Sequence, residues 1–220
     1  MLNQPAFQRL ISKAIKRSYA PKQVIIHAGD PPSSLYLLLE GSLSVSVRDE
    51  LRHEMVLAYL NPGDFFGEMC LFPEQATRTA EVSTRTQVLV AEIGYDYFRR
   101  FCTEHPEMML LLAGQLAQRL RATTQRLMDL TFLDVQGRVA REILNLCQQF
   151  DAQPHPRGTL VRVSRQELAR IVGCSREMAG RVLKKLVEDG TVVTQGRSLV
   201  ALGVMHPDAD RLALRRRKVS

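Results

Sequence analysis

The chain has 220 residues, of which 45% are hydrophobic and 24% charged, and a formal net charge of +7. That length allows one large domain or two ordinary ones, and the balance is ordinary for a globular protein. No apolar run approaches the ~20 residues of a membrane span, and the opening MLNQPAFQRLISKAIKRSYAPK lacks the unbroken apolar core and cleavage site of a secretory signal, which points to the cytoplasm.

Phe7, Leu10, Ile11, Ala14 and Ile15 recur at helical spacing and predict a helix over 7–18. Short β-rich runs follow at 24–27, 35–39, 42–47, 55–60 and 88–93. Between them stand Gly29-Asp30-Pro31-Pro32, Glu40-Gly41, Asn61-Pro62-Gly63-Asp64 and Phe72-Pro73. Many short strands with turn signals at this spacing read as a small β-barrel or sandwich. The texture changes near Tyr95. Beyond Pro106, Met109, Leu112, Leu116, Leu120, Thr123, Leu127 and Leu130 step by three or four residues along one long helix. Such a helix can pack on its own domain, but a seam this long and narrow suits pairing with a second copy better.

Val139, Ile143, Leu144 and Leu146 give another helical pattern after Asp134, and Pro154-His155-Pro156-Arg157-Gly158 reads as a loop. A strand is expected at 159–163. Ser164 with Glu167 forms a capping box for a helix that ends at Gly173. A second helix starts at Ser175 and runs to about Glu188, and strands at 191–194 and 199–202 flank Gly196. Helix, tight turn, helix and hairpin make a winged helix-turn-helix. Its second helix turns Met178, Val182, Leu183 and Leu186 inward. Arg176 and Glu177 lie in its first turn, where Arg can bond guanine bidentately and Glu can accept from cytosine. Arg181 can reach a different base. Arg165, Gln166, Ser175 and Lys184 suit phosphate contacts, which set register rather than sequence. A solvated basic helix in a small bundle is the alternative; the hairpin that follows favours DNA.

Residues 61–79 read NPGDFFGEMCLFPEQATRT. Gly67, Glu68, Arg78 and Thr79 bring together a backbone N–H, a carboxylate, a guanidinium and a hydroxyl, which together can hold a phosphorylated sugar. On spacing alone, a Glu–Arg surface pair at a hairpin serves equally well. Cys70, Cys102, Cys147 and Cys174 include no CxxC pair and read as buried free thiols, not as zinc or redox sites. No P-loop, GxSxG or HExxH motif suggests an enzyme, and the five His residues lack metal-ligand spacing.

The stretches YLNPGDFFGEMCLF (59–72), RTA (78–80), TFLDVQGRVA (131–140), DAQPHPRG (151–158) and SRQELARIVGCSREMAGRVLKKL (164–186) resemble the cyclic AMP receptor branch of the CRP/FNR regulator superfamily. The matched order runs from about Tyr19 to Gly203. The resemblance implies an α+β chain: a cyclic-nucleotide-binding, jelly-roll-like β-domain over 1–106, a dimerisation helix and hinge over 107–133, a winged helix-turn-helix over 134–203 and a basic tail over 204–220. It implies a non-enzymatic, ligand-gated transcription regulator that uses no metal. Cyclic AMP would sit against Gly67, Glu68, Met69, Arg78, Thr79 and Ala80, with Thr123 and the partner copy's equivalent of Thr124 at the adenine. Cyclic di-GMP, or DNA binding without ligand, is the alternative within the same fold; a cyclic-nucleotide-binding regulatory module without DNA function is the alternative outside it. A homodimer through 107–132 would read TGTGA-type palindromic promoter DNA with Arg176, Glu177 and Arg181, and contact RNA polymerase through 152–159. The chain departs from the family's best-studied member at Thr79 and Thr124, where that member has Ser, and at Arg157, where it has an acidic group. Ile15 and Tyr97 replace polar or basic groups of a second polymerase contact, while Arg17 keeps a positive charge. The tail ends in Arg215-Arg216-Arg217-Lys218 and reads as a disordered basic segment, or as a source of non-specific DNA affinity.

Overall fold

The computed structural model describes residues 5–51, 53–72, 76–196 and 198–206, in two compact units, Met1–Arg126 and Leu127–Ser220. The first unit runs α1 (Pro5–Ser12), β1 (Ile15–Tyr19), β2 (Val24–Ile26), β3 (Ser34–Glu40), β4 (Leu43–Arg48), β5 (Glu54–Leu60), β6 (Phe65–Phe66), a 3-10 turn (Met69–Leu71), β7 (Glu81–Thr84), β8 (Val88–Gly94), α2 (Tyr95–Glu104) and most of α3 (Glu107–Phe132).

Two antiparallel sheets, ordered β1-β8-β3-β6 and β2-β7-β4-β5, build this unit. Side chains alternate faces along a strand, and β3 shows why its sequence does not alternate. Leu38 joins Leu43, Leu60, Phe66 and Val82 in a core shared by the two sheets. Leu35 and Leu37 face the other way, into a second core with Phe7 and Leu10 of α1, Phe98 of α2 and Met108 of α3. Both faces of β3 are covered, so its sequence is a nearly continuous apolar run. Phe7, Phe65, Phe66 and Phe98 are fully buried, each contributing ~1.5–3 kcal/mol; Phe65 stacks on Phe7 at 6.0 Å and meets Phe98 edge-on at 5.7 Å.

The expected helix over 7–18 is corrected. α1 stops at Ser12, and Ile15–Tyr19 pairs antiparallel with Val88–Glu92 of β8. The sheet edge gives this backbone its hydrogen-bond partners, and Ile15, 59% exposed, faces no helical core. The long helix begins at Glu107, and its seam divides. Leu112 is buried in the second core and Leu116 packs against it, whereas Leu120, Leu127 and Leu130 are exposed. The leucines left exposed along the seam therefore lie in the later turns, with Met109 exposed at its start.

The second unit contains the end of α3, then α4 (Val135–Leu146), β9 (Gln153–His155), β10 (Gly158–Arg162), α5 (Arg165–Val172), α6 (Arg176–Glu188), β11 (Val192–Gln195) and β12 (Ser198–Leu202). α4, α5 and α6 pack pairwise beside a sheet ordered β11-β12-β10-β9. Asp134 caps α4 by accepting from the Gly137 N–H at 2.7 Å. Two expectations change here. Leu144 lies on the exposed side of α4. Part of the expected loop forms β9, an edge strand in which Pro154 is tolerated because only one side of the strand is paired. Pro73 and Arg215-Arg216-Arg217-Lys218 lie outside the described residues.

Candidate effector pocket and nucleic-acid interface

A pocket opens between β2, β4, β6, the 3-10 turn and the segment leading into β7. Gly67, Glu68, Met69, Arg78, Thr79 and Ala80 all line it. The main chain fixes Arg78: its N–H donates to Asp30 O at 3.0 Å and its carbonyl accepts from the Gly29 N–H at 2.8 Å. The side chain is 7% exposed. Nη1 donates to Gly67 O (2.7 Å) and to the Tyr95 hydroxyl (2.9 Å), and Nη2 donates to Ser34 O (2.6 Å). All three acceptors are neutral. A buried cation is costly unless paired with an anion, and among the described residues no carboxylate bonds to this one, so the cradle is one negative charge short. Gly67 stands at φ +72, and a Cβ there would lie 2.7 Å from Arg78 Nη1 and 3.2 Å from Ile26 Cδ1.

Glu68 is also buried, at 3% exposed, and it does not pair with Arg78. Its Oε1 accepts from Arg119 Nη1 at 2.7 Å, while Arg119 Nη2 donates to Phe65 O. The surface Glu–Arg pair allowed by spacing is therefore replaced by two buried groups with separate partners, and a carboxylate with two oxygens commits only one to Arg119. Sequence reasoning missed Arg119, Tyr95 and Ser34. Arg119 sits on α3 in a row with Gln115 and Arg126. Gln115 accepts from the Phe65 N–H (2.9 Å) and donates to Gly63 O (2.8 Å), and Arg126 donates to the carbonyls of Val56 and Leu57. This polar row was visible as period-4 and period-7 spacing, but nothing local says what it meets.

Burial pushes the Tyr95 hydroxyl up to about 12, so it is neutral at ordinary pH and can donate and accept at once. It donates to Gly67 O at 2.6 Å. Thr79 is exposed at the pocket mouth. Thr123 and Thr124 are exposed on α3 and do not line this pocket within one chain; Thr124 Oγ1 donates to Leu120 O at 3.0 Å. Cys70, Cys102 and Cys147 are buried free thiols, and Cys174 is partly exposed; burial raises the pKa of Cys102, Cys147 and Cys174, so these three lack the lowered pKa of a nucleophile. Among the described residues no group of three His, Cys, Asp or Glu could hold a metal, and no helix is long and apolar enough to cross a membrane.

In the second unit both helix starts are capped as their sequence requires. Ser164 Oγ accepts from the Glu167 N–H at 3.1 Å, and Ser175 Oγ from the Met178 N–H at 3.2 Å. Gly173, in the left-handed conformation at φ +71, closes α5 through its N–H to Ala169 O. α6 buries Ala179, Val182, Leu183 and Leu186; Met178, expected inside, is half-buried because Ala179 takes the inner position. Arg165, Gln166, Ser175, Arg176, Glu177, Arg181 and Lys184 are all exposed. Lys184 makes a 3.7 Å pair with Glu188 that solvent weakens. Arg176 and Arg181 project about 140° apart around the helix. The exposed face of α6 thus presents cations and the carboxylates of Glu177 and Glu188 on a capped helix.

Two family models match the chain: the cyclic nucleotide-binding domain over residues 16–105 and the bacterial regulatory proteins of the crp family over residues 161–192. The cAMP-activated global transcriptional regulator Vfr of Pseudomonas aeruginosa is 46% identical over 198 residues, 89% of this chain and 92% of that one. The cAMP-activated global transcriptional regulator CRP of Salmonella typhimurium is 41% identical, over 90% of this chain and 95% of that one. Among solved structures, the c-di-GMP responsive global regulator CLP of Xanthomonas campestris is 40% identical with a TM-score of 0.83, over 90% of this chain and 99% of that one.

Proposed function

Because the chain belongs to the crp family of bacterial regulatory proteins, we propose that it is a cyclic AMP-activated transcription regulator whose first unit takes the nucleotide and whose second unit binds promoter DNA. The observation that carries the ligand half is Arg78, a buried cation held, among the described residues, only by neutral acceptors, beside a glycine that leaves no room for a side chain. A cyclic phosphate supplies the missing charge, and Gly67 lets it approach the backbone. Glu68, held by Arg119, offers its second oxygen to a ribose hydroxyl. Met69, Thr79 and Ala80 border the same opening, with Thr123 and the partner copy's equivalent of Thr124 meeting the base. No catalytic step is involved: the ligand acts through its differential affinity for two states of the protein.

In the DNA half, Arg176, Glu177 and Arg181 read base edges, and Arg165, Gln166, Ser175 and Lys184 bond phosphates. Two copies pair through the exposed Leu120, Leu127 and Leu130 stripe of α3. The ligand-bound pair sets its recognition helices one DNA turn, ~34 Å, apart on a TGTGA-type palindrome. The segment 152–159 contacts RNA polymerase, and the protein works in the cytoplasm.

The test is fluorescence anisotropy on a labelled TGTGA-N6-TCACA duplex at fixed salt, with no ligand, with cyclic AMP and with cyclic di-GMP. Tightening with cyclic AMP alone is expected. Tight binding without ligand that cyclic di-GMP weakens would overturn the ligand and leave the DNA site standing. Absence of sequence preference in every arm would overturn the recognition-helix assignment.

A further inference from the structure

We propose that Tyr95 is a positioning residue for the anion: its phenol holds the Arg78 guanidinium and the Gly67 carbonyl in the geometry that receives a phosphate. The inference rests on the cyclic-phosphate reading of the pocket. Tyr95 is the first residue of α2, directly after β8, and its side chain is 8% exposed in the core formed with Phe98 and Met108. Packing needs only the ring. A buried hydroxyl is costly unless bonded, and this one makes two bonds, donating to Gly67 O at 2.6 Å and accepting from Arg78 Nη1 at 2.9 Å. Nη1 also donates to Gly67 O at 2.7 Å. Three groups from three separate elements therefore close a triangle, and none can shift alone.

The triangle determines which donors remain. A guanidinium carries five N–H bonds. Tyr95 and Gly67 engage both of those on Nη1 and Ser34 one on Nη2, leaving Nε–H and one Nη2–H for an incoming oxyanion. Without the phenol, Nη1 has a free hydrogen and the guanidinium can swivel. Peptide planarity adds a second consequence: with the Gly67 carbonyl held toward Arg78 and Tyr95, the Glu68 N–H of the same trans peptide points the opposite way.

Tyr95→Phe keeps the ring and removes the hydroxyl. Calorimetric titration of the full-length protein with cyclic AMP, and with adenosine as the same base and ribose lacking phosphate, reads the effect. Cyclic AMP is expected to bind roughly ten-fold more weakly, with adenosine unchanged. In an Arg78→Lys background the same change is expected to shift cyclic AMP affinity less than about two-fold, since a group acting through Arg78 has nothing left to position. Equal weakening of both ligands, no weakening, or full additivity with Arg78→Lys would overturn the proposal. If the unaltered protein does not prefer cyclic AMP over adenosine, the phosphate reading of the pocket falls first, and this inference with it.

Discussion

At position 67 there is room for backbone and nothing more. Any L-residue at φ +72 pays ~1–2 kcal/mol, and its Cβ would lie 2.7 Å from Arg78 Nη1. Gly67→Ala is therefore expected to weaken cyclic AMP at least ten-fold by calorimetry, while low-salt binding to random DNA, which depends on phosphate contacts in the other unit, stays unchanged. Gly67, Glu68, Arg78 and Thr79 could be picked from the sequence because they crowd into one short segment whose residue types suit a phosphorylated sugar. Their partners could not. Arg119 lies 51 residues from Glu68 and Tyr95 lies 17 from Arg78. Each looks like an ordinary helix residue until the fold brings it to the pocket. Spacing alone also left open a Glu68–Arg78 surface pair, where the fold gives each its own partners.

Among the elements, legibility follows how much of the signal is local. The helix-turn-helix was readable nearly to the residue, since Ser164, Gly173 and Ser175 act within three or four positions of themselves. β1 was misread as helix because its pattern continued the period of α1, and only the distant edge of β8 settles the matter. β6 and β9 are too short to carry a pattern, and α2 was hidden behind the end of β8. On the exposed face of α6, Arg181 is proposed as one of the base readers. Arg181→Ala is expected to cost roughly 1–3 kcal/mol at one base position, seen by anisotropy across a panel of single-base operator variants. A uniform loss across the panel would make it a phosphate contact.

For the whole molecule, α3 has two faces with different jobs. Gln115, Arg119 and Arg126 fasten one face to the β-structure, while Leu120, Leu127 and Leu130 are left exposed. The sequence showed the leucine stripe but overstated its length, because Leu112 has the same spacing and a different destination. Leu127→Asp would bury an unpaired carboxylate in the proposed dimer, and is expected to cost about 3 kcal/mol or more of association. Sedimentation should then show monomers at concentrations where the unaltered chain pairs; a persisting dimer would move the interface elsewhere. The charge-deficient cradle at Arg78 reaches beyond gene control. A ligand that binds only the folded state adds RT ln(1 + [L]/Kd) to stability, about 2.7 kcal/mol at a hundred times Kd. A nucleotide that fills this cradle is therefore expected to raise the melting temperature of the chain, and a Tm that does not rise with nucleotide concentration would speak against binding there.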